Sequence, residues 1–451
     1  MRSNPLVLVS LTLFAAAALS ASDAQAAQKK VSSAPAPSAQ GLSAAQAAID
    51  TAAAAILPRV VAWRRDFHEH PELGNREVRT AKIVADELRA LGLEVKTGVA
   101  KTGVTGLLRG GKPGPVVALR SDMDGLPVSE EVDLPFKSNA TADWAGQKTG
   151  VMHACGHDNH LAILLGTAHV LAGMKAQIQG SVKFIFQPAE EGPPPGEEGG
   201  AALMVKEGVL NDPKVDAIFG LHVFPYETGT LAWRSRGIMA AGDRFEILVT
   251  GRQTHGAVPW AGVDPIVVGS QIVLGLQTLV SRQVDLTLAP AIVTIGAFNG
   301  GNRHNIIPGE VKMIGTLRTF DKAMRANLIE RIQRTASLIA QSAGATAKVT
   351  FDRSLPVTYN DPELTSRMDA TLRRVAGSKV LPDVNPATAS EDFSYFQEKV
   401  PGVFIFLGVT PKGTLPENIY SNHSPRFFAD EAALVTGVRA LSNLAVDYLN
   451  R

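Results

Sequence analysis

Apolar residues recur at helical spacing from Ala44 to about His70, where Pro71 interrupts the pattern, and again from Arg76 to Leu91 before Gly92. The spacing predicts helices over 44–70 and 76–91. Short β-rich runs bounded by glycine and proline follow at 105–109 and 116–120, and the second runs into an acidic turn, Ser121 to Gly125. A helix at 160–174, a strand at 182–186, a helix at 199–207 and a strand at 217–221 extend an α/β alternation. Such alternation implies a largely parallel central sheet with helices on both faces.

Between about 237 and 353 the order changes. A strand at 244–250, a helix at 264–281, strands at 291–298 and 310–318, a helix at 322–342 and a strand at 347–351 give β-α-β-β-α-β, the split βαβ order of ferredoxin-like domains. Candidate chemistry resumes afterwards, at Ser390 to Phe393 and at His423. The small domain, 237–351, is therefore read as inserted into a larger one, 45–236 and 352–451, which a helix over 429–450 closes.

A length of 451 residues suffices for two or three domains and an ample core. Lys and Arg number 44 against 43 Asp and Glu, which leaves no electrostatic footprint for nucleic acid or an anionic membrane. A small-molecule partner is expected. At the start of the chain, Arg2 precedes an apolar stretch from Leu6 to Leu19 and then Ala24, Gln25 and Ala26. This is the layout of a secretory signal peptide, 1–26, cleaved after Ala26. The stretch is short for a stable membrane span, so none is expected after processing. Residues 27–44, rich in Ala, Ser and Pro, read as a flexible linker. The expected location is outside the cytoplasm, periplasmic or secreted.

The chain has one cysteine, Cys155, in the run MHACGHDNH with three of its ten histidines. Thiolate and neutral imidazole are preferred ligands of zinc and its neighbours, and Cys155 and His157 could reach one ion. A buried free cysteine beside surface histidines is the simpler alternative for an isolated thiol. A thiol redox role lacks a second cysteine to resolve an oxidised form. Metal protection of a lone thiolate also suits an oxidising compartment. Further candidates follow apolar strands: QPAEEG after 182–186, with two adjacent carboxylates able to divide metal binding from proton transfer, His222 after 217–221, and His423 in the loop SNHSPRF. Loops of this kind gather at the mouth of an α/β sheet.

Together these residues resemble the co-catalytic metallopeptidases that include aminoacylases, glutamate carboxypeptidase and succinyl-diaminopimelate desuccinylase. The chain is most similar to the branch of hippurate hydrolases, N-acyl-amino-acid amidohydrolases and plant indole-acetyl-amino-acid hydrolases. The likeness runs from about Trp63 to the C-terminus through LRSDMDGLPV, MHACGHDNH, QPAEEG, GLHVFP, THGAVPWAGVDPI, GGNRHNIIPGEV, GTLRTF, SEDFS and NHSPRF. It implies two divalent metal ions held by Cys155, His157, Glu191, His222 and His423, with Cys155 bridging and Glu190 as general base. Zinc is the first choice of metal, and manganese, cobalt or nickel also suit this donor set. The resemblance further implies that His255 reaches the site, usually from the other subunit of a homodimer formed through the inserted domain, and that Asn305 and Arg318 hold the substrate carboxylate. Asp122, Asp124, Asp158 and His160 are expected to support the metal ligands, with Glu391 lining the site.

The sequence departs from the branch at EEGPPPGEEGGA, residues 190–201, where relatives turn more directly. Its prolines and the pair Glu197 and Glu198 are expected to stiffen a longer loop and alter substrate access. The resulting expectation is an amidohydrolase that cleaves N-acetyl or N-aroyl amino acids into carboxylic acid and amino acid through a metal-activated water and Glu190. A carboxypeptidase or dipeptidase acting on short peptides is the alternative within the same chemistry, and a non-catalytic periplasmic ligand- or metal-binding protein is the alternative outside it.

Overall fold

The structure is a computed structural model describing residues 43–450. The signal peptide and nearly all of the linker expected at 27–44 lie outside the described residues. The chain begins with two helices, α1 (Ala44–Glu69) and α2 (Val78–Ala90), then strands β1 (Glu94–Val99), β2 (Gly103–Arg109) and β3 (Lys112–Asp122). A hairpin of β4 (Thr141–Trp144) and β5 (Gln147–Gly150) leads to α3 (His157–Gly173), β6 (Gln179–Gln187), α4 (Gly200–Lys206) and β7 (Ala217–Glu227). Short strands β8 (Leu231–Trp233) and β9 (Arg236–Met239) precede a second group. That group comprises β10 (Ala241–Thr250), β11 (Thr254–His255), α5 (Pro265–Gln283), β12 (Ala291–Gly300), β13 (Ile306–Ile307), β14 (Glu310–Thr319), α6 (Lys322–Ser342) and β15 (Thr346–Leu355). The last elements are β16 (Thr358–Asn360), α7 (Pro362–Ala376), β17 (Val380–Pro382), the four-residue α8 (Ser394–Gln397), β18 (Gly402–Thr410) and α9 (Leu434–Leu449).

Eight strands form the central sheet in the order β1-β2-β6-β3-β7-β18-β8-β17. Its middle, β6-β3-β7-β18, is parallel, whereas β1, β2 and the β18–β8 contact are antiparallel. The strict alternation of side chains along a strand splits its apolar residues between two cores. Phe184, Phe186, Phe219, Leu221 and Ile405 join one core with α1, α3 and α9, while Ile185, Ile218, Phe404 and Phe406 join the other with α4 and α8. The expected α/β sheet with helices on both faces is therefore present.

A separate four-stranded antiparallel sheet has the order β12-β14-β10-β15, which is the split βαβ arrangement. It has its own core, where Phe245, Ile247 and Met313 meet Ile272 and Leu276 of α5 and Leu328 and Ile332 of α6. Aspartate caps start both helices: Asp264 accepts from Ile266 and Val267 N–H, and Asp321 from Met324 N–H.

Several boundaries differ from the sequence expectation. Helix α3 starts at His157 rather than residue 160, and β7 continues six residues past Leu221, so His222 lies within a strand. The final helix begins at Leu434 after a short 3-10 turn, Glu431–Ala433. Helix α7 and strand β18 went unanticipated, although Asp361 caps α7 at Leu364 N–H and β18 is a continuous apolar run buried on both faces.

Near the base of the second sheet, Arg325 on α6 donates from Nε and Nη2 to both oxygens of the fully buried Asp243 carboxylate at 2.8 and 2.7 Å. Removing one partner of a buried pair leaves the other uncompensated. Arg325→Ala is expected to lower unfolding stability by about 3 kcal/mol in denaturant titration; a loss below about 0.5 kcal/mol, typical of exposed sites, would show that water or Ser354 compensates the carboxylate.

Candidate metal centre

The C-terminal ends of parallel strands β3, β6 and β7 converge on one point, where ligands of open α/β sheets gather. Strand β3 ends in Asp122, β6 leads into Glu190 and Glu191, and β7 carries His222. The loop before α3 adds Cys155 and His157, and the loop before α9 adds His423. Cys155 Sγ lies 3.3 Å from both His222 Nε2 and His423 Nε2, and His423 Nε2 lies 2.8 Å from Glu191 Oε1. Potential donor atoms of Cys155, His157 and His222 fall within 4.8 Å of one another, as do those of Cys155, Glu191 and His423, and those of His157, Glu190 and Glu191. All five ligands expected from the sequence are thus brought together with Glu190, and Cys155 belongs to two of the sets.

Local backbone constraints produce this convergence. Gly156 opens α3 at φ 91°, and a Cβ there would lie 2.4 Å from Val223 Cγ2, so only glycine lets the Cys155 loop approach β7. Ala189 adopts φ 49°, unusual for a residue with a side chain. That turn is held from both sides. Glu77 accepts from Ala189 N–H at 2.8 Å, and the Asp124 carboxylate accepts from the N–H groups of Glu190 and Glu191, each at 3.0 Å. Asn422 Nδ2 donates to the carbonyls of Cys155 and Val223, tying the His423 loop to both neighbours.

Outer hydrogen bonds also fix which imidazole nitrogen faces the cluster. His157 Nδ1–H donates to the Asp124 carbonyl at 2.8 Å, and His222 Nδ1–H donates to the Val223 carbonyl at 2.7 Å. Their Nε2 atoms therefore point at Cys155 and the carboxylates, and buried His157 Nε2 has no hydrogen-bond partner. His160 Nε2 accepts from Val223 N–H, so its Nδ1–H donates to Asp122 at 2.6 Å. Asp122, Asp124 and His160 thus hold ligands or their backbone, as expected. Asp158 faces elsewhere: it is 3.0 Å from Arg64 Nε and 2.8 Å from His68 Nδ1, and His68 continues to Glu130. Its contacts anchor α1 to the start of α3 rather than touching the cluster.

Sequence reading missed Arg120. Fully buried, it donates to Gln187 at 2.8 Å, Asp122 at 2.8 Å, Glu391 at 2.9 Å and Asp392 at 3.2 Å. Its position two residues before Asp122 in LRSDMDG, and Asp392 in SEDFS, were the available signals. Glu77, buried against Thr102 and Ala189, was also missed.

Negative charge dominates this buried space. Burial, reinforced by Glu391, Glu191 and Asp392, pushes the Glu190 carboxyl well above the usual carboxylate range. Burial also raises Asp392 to about 8, against the opposing pull of Arg120. The Cys155 thiol is pushed up by burial and then by Glu191 and Glu190. Burial works against a charged His157, yet Asp122 and Asp124 raise it to about 10, so it carries a proton that a cation would replace. Burial and the neighbouring His160 hold His222 well below its ordinary value, keeping it neutral. A thiol, imidazoles and carboxylates with an orphaned ring nitrogen at their centre fit divalent metal ions.

The cluster forms one wall of a cavity of about 500 Å³. Arg318, Thr316 and Arg244 line the opposite wall from the second sheet, and Arg318 contacts Ser390. Glu391 lines the cavity as expected. His255 and Asn305 do not; they sit together where β11 pairs with β13, and Gly256 N–H donates to the Asn305 carbonyl. Glu197 and Glu198 line a second cavity of about 510 Å³ that shares Glu190 and Leu355 with the first. Glu197 is pinned by Arg76 and Lys101, each at 2.6 Å, and by Asn75 at 2.9 Å, while Glu198 pairs with Lys206.

Comparisons with known proteins agree with this geometry. The profile of peptidase family M20/M25/M40 matches residues 118–447. Thermostable carboxypeptidase 1 of Saccharolobus solfataricus is 41% identical over 397 residues, covering 87% of this chain and 96% of that protein. N-acetylcysteine deacetylase of Bacillus subtilis is 38% identical over 390 residues, covering 86% and 96%. The crystal structure of a dinuclear metal binding peptidase from the M20 family, also of Bacillus subtilis, aligns with a TM-score of 0.74 at 36% identity, covering 88% of this chain and 99% of that one.

Titrating divalent metal into stripped protein at pH 8 in weak buffer is expected to release roughly two protons per chain, because ligands must deprotonate to bind. One would come from the Cys155 thiol and one from the His157 imidazolium, both protonated at that pH without metal. Binding without proton release would remove both from the ligand set. Gly156→Ala is expected to lower metal content per folded chain by elemental analysis; full occupancy would show that the loop can shift.

Proposed function

The chain belongs to peptidase family M20/M25/M40 and is a hydrolase acting on amide bonds, and from that membership we propose an exported amidohydrolase that splits N-acyl amino acids into carboxylic acid and amino acid. One observation carries the reading: the full ligand cluster and Glu190 face the same cavity as Arg318. In this reading Cys155 lies between two metal sites, the first completed by His157 and His222 and the second by Glu191 and His423. Zinc suits the donors, and manganese, cobalt or nickel could serve. Bound divalent ions would polarise the amide carbonyl and lower the pKa of a water from about 15.7 to near ~7.

Glu190 takes a proton from the attacking water as its oxygen bonds to the carbonyl carbon, then returns it to the nitrogen as the C–N bond breaks. A carboxyl raised by burial suits a group that must both accept and donate a proton. Arg318 offers a planar, charge-assisted partner to the amino-acid carboxylate.

A homodimer through the second sheet belongs to the same proposal. Strand β12 is an unpaired edge with Ile292 and Phe298 exposed, and Leu274 on α5 is 70% exposed. His255 and Asn305 would then serve the cavity of the other copy, which accounts for their absence from their own. Export rests on the leader-like residues 1–26. The 41% identity to a thermostable carboxypeptidase supports a second reading, cleavage of short peptides by the same machinery.

The test is to strip the mature protein, restore zinc, manganese or cobalt, and follow amino-acid release from N-acetyl-methionine, hippurate and dipeptides. Restored release is expected, with a loss of roughly a thousandfold in Glu190→Gln. Release from dipeptides alone would favour the peptidase, and equal activity in Glu190→Gln would remove Glu190 from the chemistry.

A further inference from the structure

His222 and Phe224 alternate along β7 and so project from the same face, about 7 Å apart along the strand. The Phe224 ring stands edge-on to His222, with centroids 6.5 Å apart at 73°. Behind it lies fully buried Phe406, stacked at 4.5 Å and 24°, and beside it Tyr226 at 5.4 Å. These contacts fix the plane of a ring that also lines the cavity, where Met239 and Leu355 add apolar surface. Neither the metal ligands nor Glu190 accounts for this aromatic wall.

Its placement relative to the reacting carbonyl gives it a meaning. For hydrolysis the carbonyl carbon must sit against Glu190 and the cluster of Cys155, His222 and Glu191. The substituent on that carbon then stands beside His222. A methyl group there ends short of Phe224, whereas a phenyl ring or a chain of several carbons spans the gap. The amino-acid carboxylate is drawn to Arg318, which comes from the opposing sheet, so the two ends of the substrate meet walls of opposite character.

We propose that Phe224 selects the acyl group, and that the preferred substrates carry an aromatic or long aliphatic acyl chain rather than acetyl. This rests on the amidohydrolase reading and names the class of substrate within it. Specificity then comes from apolar contact made by the acyl group at a preformed ring.

The experiment compares kcat/KM for N-benzoyl-glycine and N-acetyl-glycine, which present the same carboxylate to Arg318, in metal-loaded wild type, Phe224→Ala and Phe224→Leu. Wild type is expected to favour benzoyl by roughly tenfold or more, the scale set by burying one ring face. That ratio is expected to fall about tenfold in Phe224→Ala and by less in Phe224→Leu. No benzoyl preference in wild type, or a parallel loss of both activities with the ratio unchanged, would overturn the assignment. Calorimetric binding of benzoate and acetate to the same metal-loaded proteins gives a second reading without turnover. Selective weakening of benzoate in Phe224→Ala supports the role of Phe224 even where no amide is cleaved, an outcome that would sink the amidohydrolase reading alone, and unchanged benzoate binding counts against Phe224.

Discussion

A single guanidinium, that of Arg120, sets the geometry of the site. Burying several carboxylates without compensation is costly, and a half-paired buried network is worse than none. Arg120 answers this from the middle of β3 by reaching Gln187 at the end of β6, Asp122 on its own strand, and Glu391 and Asp392 some 271 and 272 positions later. Those contacts bring the end of one strand and a distant loop to fixed positions around Glu190. Lysine could not substitute, because its three donors radiate from one atom while the guanidinium spreads five in a plane.

One cation does not balance the whole site. Asp122, Glu190, Glu191, Glu391, Asp392 and the Cys155 thiol share a small volume with Arg120 and the imidazoles. Without further positive charge some must keep protons, and the raised Cys155, Glu190 and Asp392 are where that compromise falls. The features that make the apo cluster electrostatically uneasy are the ones that make it a good receptor for divalent ions. Preorganisation by Asp124, His160 and Asn422 means that the ligands need move little when charge is supplied.

How much of this was legible in the sequence follows from what each residue does. Metal ligands announce themselves, because thiol, imidazole and paired carboxylates after apolar strands have few other reasons to occur together; Cys155, His157, Glu191, His222 and His423 all converge. The α/β alternation and the β-α-β-β-α-β segment were readable because their periodicities are strong. Arg120 and Glu77 were not, since a buried ion pair across more than a hundred residues leaves no local pattern. Asp158 was grouped with the metal site because it adjoins His157, yet successive helix positions point about 100° apart, and its carboxylate faces α1. His255 and Asn305 share a motif neighbourhood with the site in sequence, while the hairpin of β11 and β13 holds them away from the cavity of their own chain.

The two walls of the cavity belong to different sheets, so catalysis would depend on their registry as much as on either wall. The chain leaves the central sheet through β9 and returns through β16, and these two strands pair antiparallel, with Thr358 opposite Met239 and Asn360 opposite Arg236. Both crossings are therefore one hydrogen-bonded ribbon rather than two independent strings. Gly237 permits the tight approach of that ribbon to the end of β14, since a Cβ there would lie 2.5 Å from the Phe320 carbonyl. Asn360 adds bonds from its side chain to the Arg234 and Phe404 carbonyls, locking the ribbon to β18. A paired ribbon resists separation of the sheets but still tolerates twist, and twist would change the distance from Arg318 to the metal cluster more than it would disturb either core. Substrate bridging the two walls, its carboxylate on Arg318 and its carbonyl at Glu190, would itself select the twist at which both contacts close.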